Sequence, residues 1–103
     1  MVTSTHSSRA ADGTCTLVVD GDLDVATAPR LVATFDQALE DRPDHILIDV
    51  SRVEFADSSG LAALIRCRRR AVLYRSRLVL DVGEGAVARL LALTRLQQVF
   101  DLA

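Results

Sequence analysis

The run His45-Ile46-Leu47-Ile48-Asp49-Val50, followed after a short link by Asp57-Ser58-Ser59-Gly60-Leu61, does most to limit the fold. A short apolar run bounded by turn-forming residues reads as a central strand, covered on both faces or held at a buried position. Asp and Ser ahead of a helical apolar period mark a helix start near Ser59. Leu61, Leu64, Ile65 and Val72 continue that period on one stripe, with Arg68 falling inside it. A strand that feeds straight into a helix is half of a β-α-β unit, and such units build parallel sheets.

The same alternation recurs on either side. From Thr14 to Val19, Cys15, Leu17 and Val19 fall on one face of a strand. Gly21-Asp22-Leu23-Asp24 closes it. Thr27 is placed as an N-cap and Pro29 in the first helical turn, where a missing N–H matters little. Leu31, Val32, Phe35 and Leu39 carry this helix to about Glu40, and Pro43 ends it. A strand follows over 77–82. Gly83 and Gly85 break the chain, Val87, Leu90 and Leu91 mark a third helix, and residues 98–102 read as a short terminal strand. Residues 1–9 are polar and Ser/Thr-rich, so 1–13 forms a weakly ordered strand or arm. The order β-β-α-β-α-β-α-β implies one α/β domain over residues 1–103, a mixed, largely parallel sheet flanked by helices.

Composition narrows the function. A chain of 103 residues, half of them hydrophobic, supports one modest core. With no Trp and four other aromatics, that core is aliphatic. Cys15 and Cys67 lie far apart in no metal or redox spacing and read as reduced thiols. No signal peptide is visible, and no stretch approaches the ~18–20 apolar residues that cross a bilayer. The expectation is a soluble cytoplasmic protein without membrane association, metal or cofactor. Catalysis is disfavoured. The histidines are His6, in the polar terminus, and His45, which opens the strand leading to Ser58 and so lies at the other end of the sheet. There is no G-x-S-x-G elbow, no Walker or dinucleotide glycine pattern, and no Lys for a receiver-type acid cluster.

Asp57, Ser58, Ser59 and Gly60 have two readings. Capping alone accounts for Asp and Ser ahead of a helix, and Gly60 for a close backbone approach. Alternatively, the Ser58 hydroxyl stands beside free helix N–H groups able to hold a phosphate. The wider pattern bears on the choice. Gly21-Asp22-Leu23-Asp24, the helix with Ala28 and Leu31, the strand Ile46–Val50 and Asp57-Ser58-Ser59-Gly60-Leu61 together resemble the anti-sigma factor antagonist family of the STAS domain superfamily. The resemblance covers residues 14–102 and continues weakly through Ala86-Val87-Ala88-Arg89-Leu90-Leu91. Arg95 stands where the family often has Gly.

The resemblance implies a bacterial STAS fold that docks, when unphosphorylated, on an anti-sigma factor that is also a serine kinase. Phosphorylation then blocks docking, and a serine phosphatase restores it. The family's phosphoserine falls on Ser58, and Asp24, Asp57, Ser59 and Gly60 fall on its partner-binding positions. Ser58 is on this view a substrate of another enzyme. Two alternatives belong beside it: a non-phosphorylated STAS module serving as a structural subunit of a lipid-transport or signalling complex, and an antagonist modulated by oxidation of Cys15 or Cys67.

Charge is unevenly spread. Residues 1–65 hold eleven acids and four arginines, whereas residues 66–103 hold eight arginines and three acids. Arg66, Arg68, Arg69, Arg70, Arg75 and Arg77 crowd one stretch. This is either a solvated helix face with Arg68 snorkelling, or a surface for an acidic partner. Direct nucleic-acid binding is disfavoured, because the pI is near 5.5 and no aromatics interleave the arginines.

Overall fold

The computed structural model describes the backbone of residues 4–103 and the side chains from Ala10 onward. Met1–Thr3, where the polar arm begins, and the His6 side chain lie outside the described residues. In chain order the elements are β1 (Ser4–Arg9), β2 (Thr14–Asp20), α1 (Ala28–Glu40), β3 (His45–Asp49), α2 (Ser58–Leu73), β4 (Arg77–Asp81), α3 (Ala86–Thr94), a 3-10 turn (Gln97–Val99) and β5 (Asp101–Leu102). The strands lie in the order β1-β2-β3-β4-β5. β1 runs antiparallel to β2, and the other neighbours are parallel. The sheet is therefore mixed and largely parallel. Gly13, at φ +88°, turns the β1–β2 hairpin. Asp12 accepts the Thr14 N–H beside it at 2.9 Å, and this bond holds the Asp12 carboxyl below its usual range.

Each parallel step moves one strand in the same direction, so right-handed crossovers put all three helices on one face. Burial follows. Register aligns Cys15 with Ile46 and Leu78, and Leu17 with Ile48 and Leu80. All six are buried, in one cluster with Leu31, Phe35 and Leu39 of α1, Leu64 and Cys67 of α2, and Val87 and Leu91 of α3. The alternate residues Thr16, Leu47 and Val79 stand on the opposite face and are half-buried. Of the two expectations for β3, a central strand at a buried position holds and cover on both faces does not. Its alternation is intact, and only Ile46 and Ile48 meet helices.

Two other expectations change. The α2 stripe steps from Leu61 through Leu64 and Cys67 to Ala71, all buried. Val72, one residue and about 100° further round, is 63% exposed. Arg68 is likewise exposed, and Cys67 fills the stripe in its place. The terminal strand is shorter than 98–102. The Leu96 N–H bonds to Leu91 O and the Val99 N–H to Leu96 O, which commits these residues to turns. Pairing begins only where Asp101 and Leu102 meet Val79 and Leu80. Buried Phe100 anchors the change of direction.

Candidate functional site at the start of the second helix

The carboxyl-terminal ends of β2 and β3 lead into the starts of α1 and α2. Asp57 is extended (φ −125°, ψ −172°) and caps α2. Its Oδ1 accepts the Ser59 N–H at 2.9 Å and the Gly60 N–H at 3.2 Å. This corrects the expectation of free helix amides beside Ser58, since two of those donors are already taken by a carboxylate. Ser58 is the first residue of the helix and is exposed. Its hydroxyl makes no hydrogen bond among the described residues.

The turn after β2 is stitched to this helix start. Leu23 forms an isolated parallel bridge with Ala56. The Leu23 N–H donates to Phe55 O at 2.8 Å, and the Asp57 N–H donates to Leu23 O at 3.3 Å. Gly60 presses on the same backbone: a Cβ there would stand 2.4 Å from Leu23 O. Glycine is required at this point by space. Its helical conformation is ordinary.

Next to Leu23, Asp24 Oδ1 accepts the Ala26 N–H at 3.0 Å and the Thr27 N–H at 3.1 Å. Thr27 sits at the N-cap of α1, but its side chain caps no helical amide. Its hydroxyl accepts the Asp24 N–H at 2.9 Å and donates to Asp22 O at 2.8 Å. Asp24, Asp57, Ser58, Ser59 and Gly60 therefore come together through one backbone contact, at Leu23. Both carboxylates are held in place by hydrogen bonds. A phosphate on Ser58 would add about −1.5 to −2 charge beside anions that cannot easily move away.

Sequence reasoning did not single out Val25, Phe55 or Leu93, which are 73%, 52% and 82% exposed. Val25 lies in the turn with Asp24, and Phe55 in the link before Asp57. Phe55, Leu90 and Leu93 line a cleft of about 240 Å³ between that link and α3. An apolar residue inside a turn segment was the available signal for the first two.

The arginines divide. Arg70 is ion-paired with Asp36 of α1, and Arg77 lies 3.4 Å from Asp101. Arg66 and Arg69 line a groove of about 900 Å³ between α1 and α2. His45 is exposed at the start of β3, far along the sheet from Ser58. Both cysteines are buried, and neither is in a disulfide. Burial, with Asp36 nearby, pushes the Cys67 thiol up to about 12. That disfavours the thiolate, the form from which a thiol is oxidised. Among the described residues no group of three or more His, Cys, Asp or Glu converges on a metal position. None of the described helices is long and apolar enough to cross a membrane.

Comparisons with known proteins agree with this architecture. The family model described as Mlab, STAS domain, matches residues 6–102. An anti-sigma factor antagonist from Mycobacterium paratuberculosis has a crystal structure similar to this chain, with a TM-score of 0.81 and 30% identity, covering 98% of this chain and 85% of that one. The Bacillus cell fate determinant SpoIIAA in its phosphorylated form aligns with a TM-score of 0.71 over 97% of this chain and 91% of that one. At 18% identity that likeness is one of fold. The anti-sigma-F factor antagonist RsfB of Mycobacterium tuberculosis is 36% identical over 53 residues, which are 52% of this chain and 43% of the relative. The match thus spans less than half the length of that curated relative. With its hairpin, singly covered parallel sheet and glycine-locked helix start, this chain belongs to the STAS domain family and, within it, to the anti-sigma factor antagonists.

Proposed function

We propose that the chain binds an anti-sigma factor serine kinase while Ser58 is unmodified, and that phosphorylation of Ser58 ends this binding. The observation that carries the reading is the position of Ser58. It is exposed, without a hydrogen-bond partner among the described residues, on the first turn of α2. Exposed Val25 and Phe55 stand in the two segments that Leu23 joins beside it. Apolar side chains around an accessible hydroxyl suit a protein partner, which would dehydrate the serine on docking. A neutral hydroxyl tolerates that dehydration. A phosphate dianion next to Asp24 and Asp57 does not, and a loss of about 3 kcal/mol already weakens binding more than a hundredfold.

The relatives support the reading by what they are called. RsfB is named for antagonism of an anti-sigma factor. SpoIIAA has been solved in both unphosphorylated and phosphorylated forms. The reading assigns no catalysis to this chain, and a serine phosphatase would reset it in the cytoplasm. Incubation with the cognate anti-sigma kinase and ATP, followed by mass spectrometric mapping, tests it. Phosphate on Ser58, and none in Ser58→Ala, is expected. Phosphate elsewhere with Ser58 untouched would overturn it. Stable complexes indifferent to Ser58→Asp would assign the chain instead to a structural subunit of a larger assembly.

A further inference from the structure

The groove between α1 and α2 starts at Val25 and Ser59, beside the Ser58 turn, and runs away from it along both helices to a different chemistry. Its floor is Ala28, Val32 and Ala33 from α1, with Ala62, Ala63 and Ile65 from α2. These are small or aliphatic side chains, and the groove holds about 900 Å³. Ser59 lies at one end, and Arg66 and Arg69 at the other. From Ser59 to Arg69 the helix rises about 15 Å, enough to lie along nearly three turns of a third helix.

Charge says what such a helix would carry. Arg66 and Arg69 are three residues apart on one edge of α2, both exposed. Neither is ion-paired among the described residues. The acid in the groove, Asp36, is already engaged by Arg70. No carboxylate occurs between Asp57 and Asp81, so nothing on α2 offsets its arginines. A shallow apolar floor with a cationic rim is complementary to an amphipathic helix whose apolar face is flanked by Glu or Asp. A nucleic acid fits poorly, because the floor offers no aromatic ring for base stacking.

We infer that this groove is a second docking surface, which takes an acidic amphipathic helix from a partner protein. The inference rests on reading the chain as a docking protein, and its arginine end, Arg66 and Arg69, lies about two to three helical turns from Ser58. A suitable probe is a fluorescein-labelled helical peptide with leucines at i, i+4 and i+7 flanked by glutamates. Its twin carries lysines in place of the glutamates. Anisotropy titrations use the full chain. The glutamate peptide should bind and the lysine twin should not. The double variant R66E/R69E should weaken the glutamate peptide by about tenfold or more and admit the lysine twin. Ala62→Trp fills the floor from an exposed position and should abolish binding with the unfolding midpoint unchanged. Equal binding of the glutamate peptide to wild type and R66E/R69E would overturn the inference. So would a preference of the same arginines for duplex DNA or phosphatidylglycerol vesicles. The titration contains neither kinase nor phosphate. Its failure leaves the Ser58 reading standing, and failure of Ser58 labelling leaves this one standing.

Discussion

Gly60 shows how one missing side chain holds the site together. Replacing it with Ala would gain up to about 1 kcal/mol of helix propensity. The new Cβ would meet Leu23 O at 2.4 Å, a backbone atom that cannot rotate aside. Overpacking of this kind costs about 1–3 kcal/mol, so the clash wins. Gly60→Ala should lower stability by about 1–2 kcal/mol in urea titration, and should also weaken partner binding by shifting Asp24 against Asp57. Asp57 separates capping from charge. Asp57→Ala removes the acceptor for two amides and should cost about 1 kcal/mol, whereas Asp57→Asn keeps a good cap and should stay within a few tenths. Equal losses in the two would show that the charge, and not the cap, carries the stability. At this scale the sequence told a good deal. Asp-Ser-Ser-Gly announced both a cap and a close approach. What it could not tell is that the capping carboxylate consumes the amides beside Ser58, because that depends on one side-chain rotamer. Nor could it tell that Leu23 is what Gly60 meets, which is a contact between residues far apart in the chain.

The helices end in an uncommon way. Arg42, Arg75 and Arg95 have φ of +48°, +57° and +59°, the left-handed region that glycine favours. After α2 the Ser76 N–H reaches Ala71 O and the Arg75 N–H reaches Val72 O, and α3 repeats the pattern with Leu96 and Arg95. These are Schellman closures with arginine at the glycine position. A left-handed L-residue costs roughly 1–2 kcal/mol. Arg95→Gly should therefore raise stability by about 1 kcal/mol, part of the relief being offset by the entropy of glycine in the unfolded chain. A lower unfolding midpoint would contradict this account of the α3 terminus.

Cys67 gives α2 a pH signature. Its folded pKa is raised to about 12 from 9.0 by burial, so the unfolded chain releases the proton first as pH rises. The contribution is complete below pH 9.0 and is lost above it, by about 1.4 kcal/mol per pH unit. Cys67→Ala should lack that extra slope. Parallel curves for the two proteins would show the thiol to be in contact with water. Elements with clear periods, such as α1 and β2, were legible from the chain. The α2 stripe was misread at Val72 and Arg68 because an apolar residue and a long cation near the helix end satisfy the pattern equally well on either side of its edge. Cys67 was the better choice.

Across the whole molecule the strand order decides most. With every crossover stepping the same way, α1, α2 and α3 share one face, and the starts of α1 and α2 lie at the carboxyl-terminal ends of β2 and β3. The Ser58 turn is built there. The arginines of α2 lie further along the same helix, where Arg70 meets Asp36 of α1 and Arg66 and Arg69 line the groove beside it. Parallel alternation was readable from the sequence. The open face of the sheet was not, because Leu47 and Val79 fill their strands with apolar residues whether or not a helix covers them.

The most direct measurement is the dissociation constant of the cognate anti-sigma kinase for the chain with and without phosphate on Ser58, at one ionic strength. A loss of about a hundredfold or more on phosphorylation, with an unchanged unfolding midpoint, is predicted. Equal affinity of the two forms would contradict the claim that this serine governs docking.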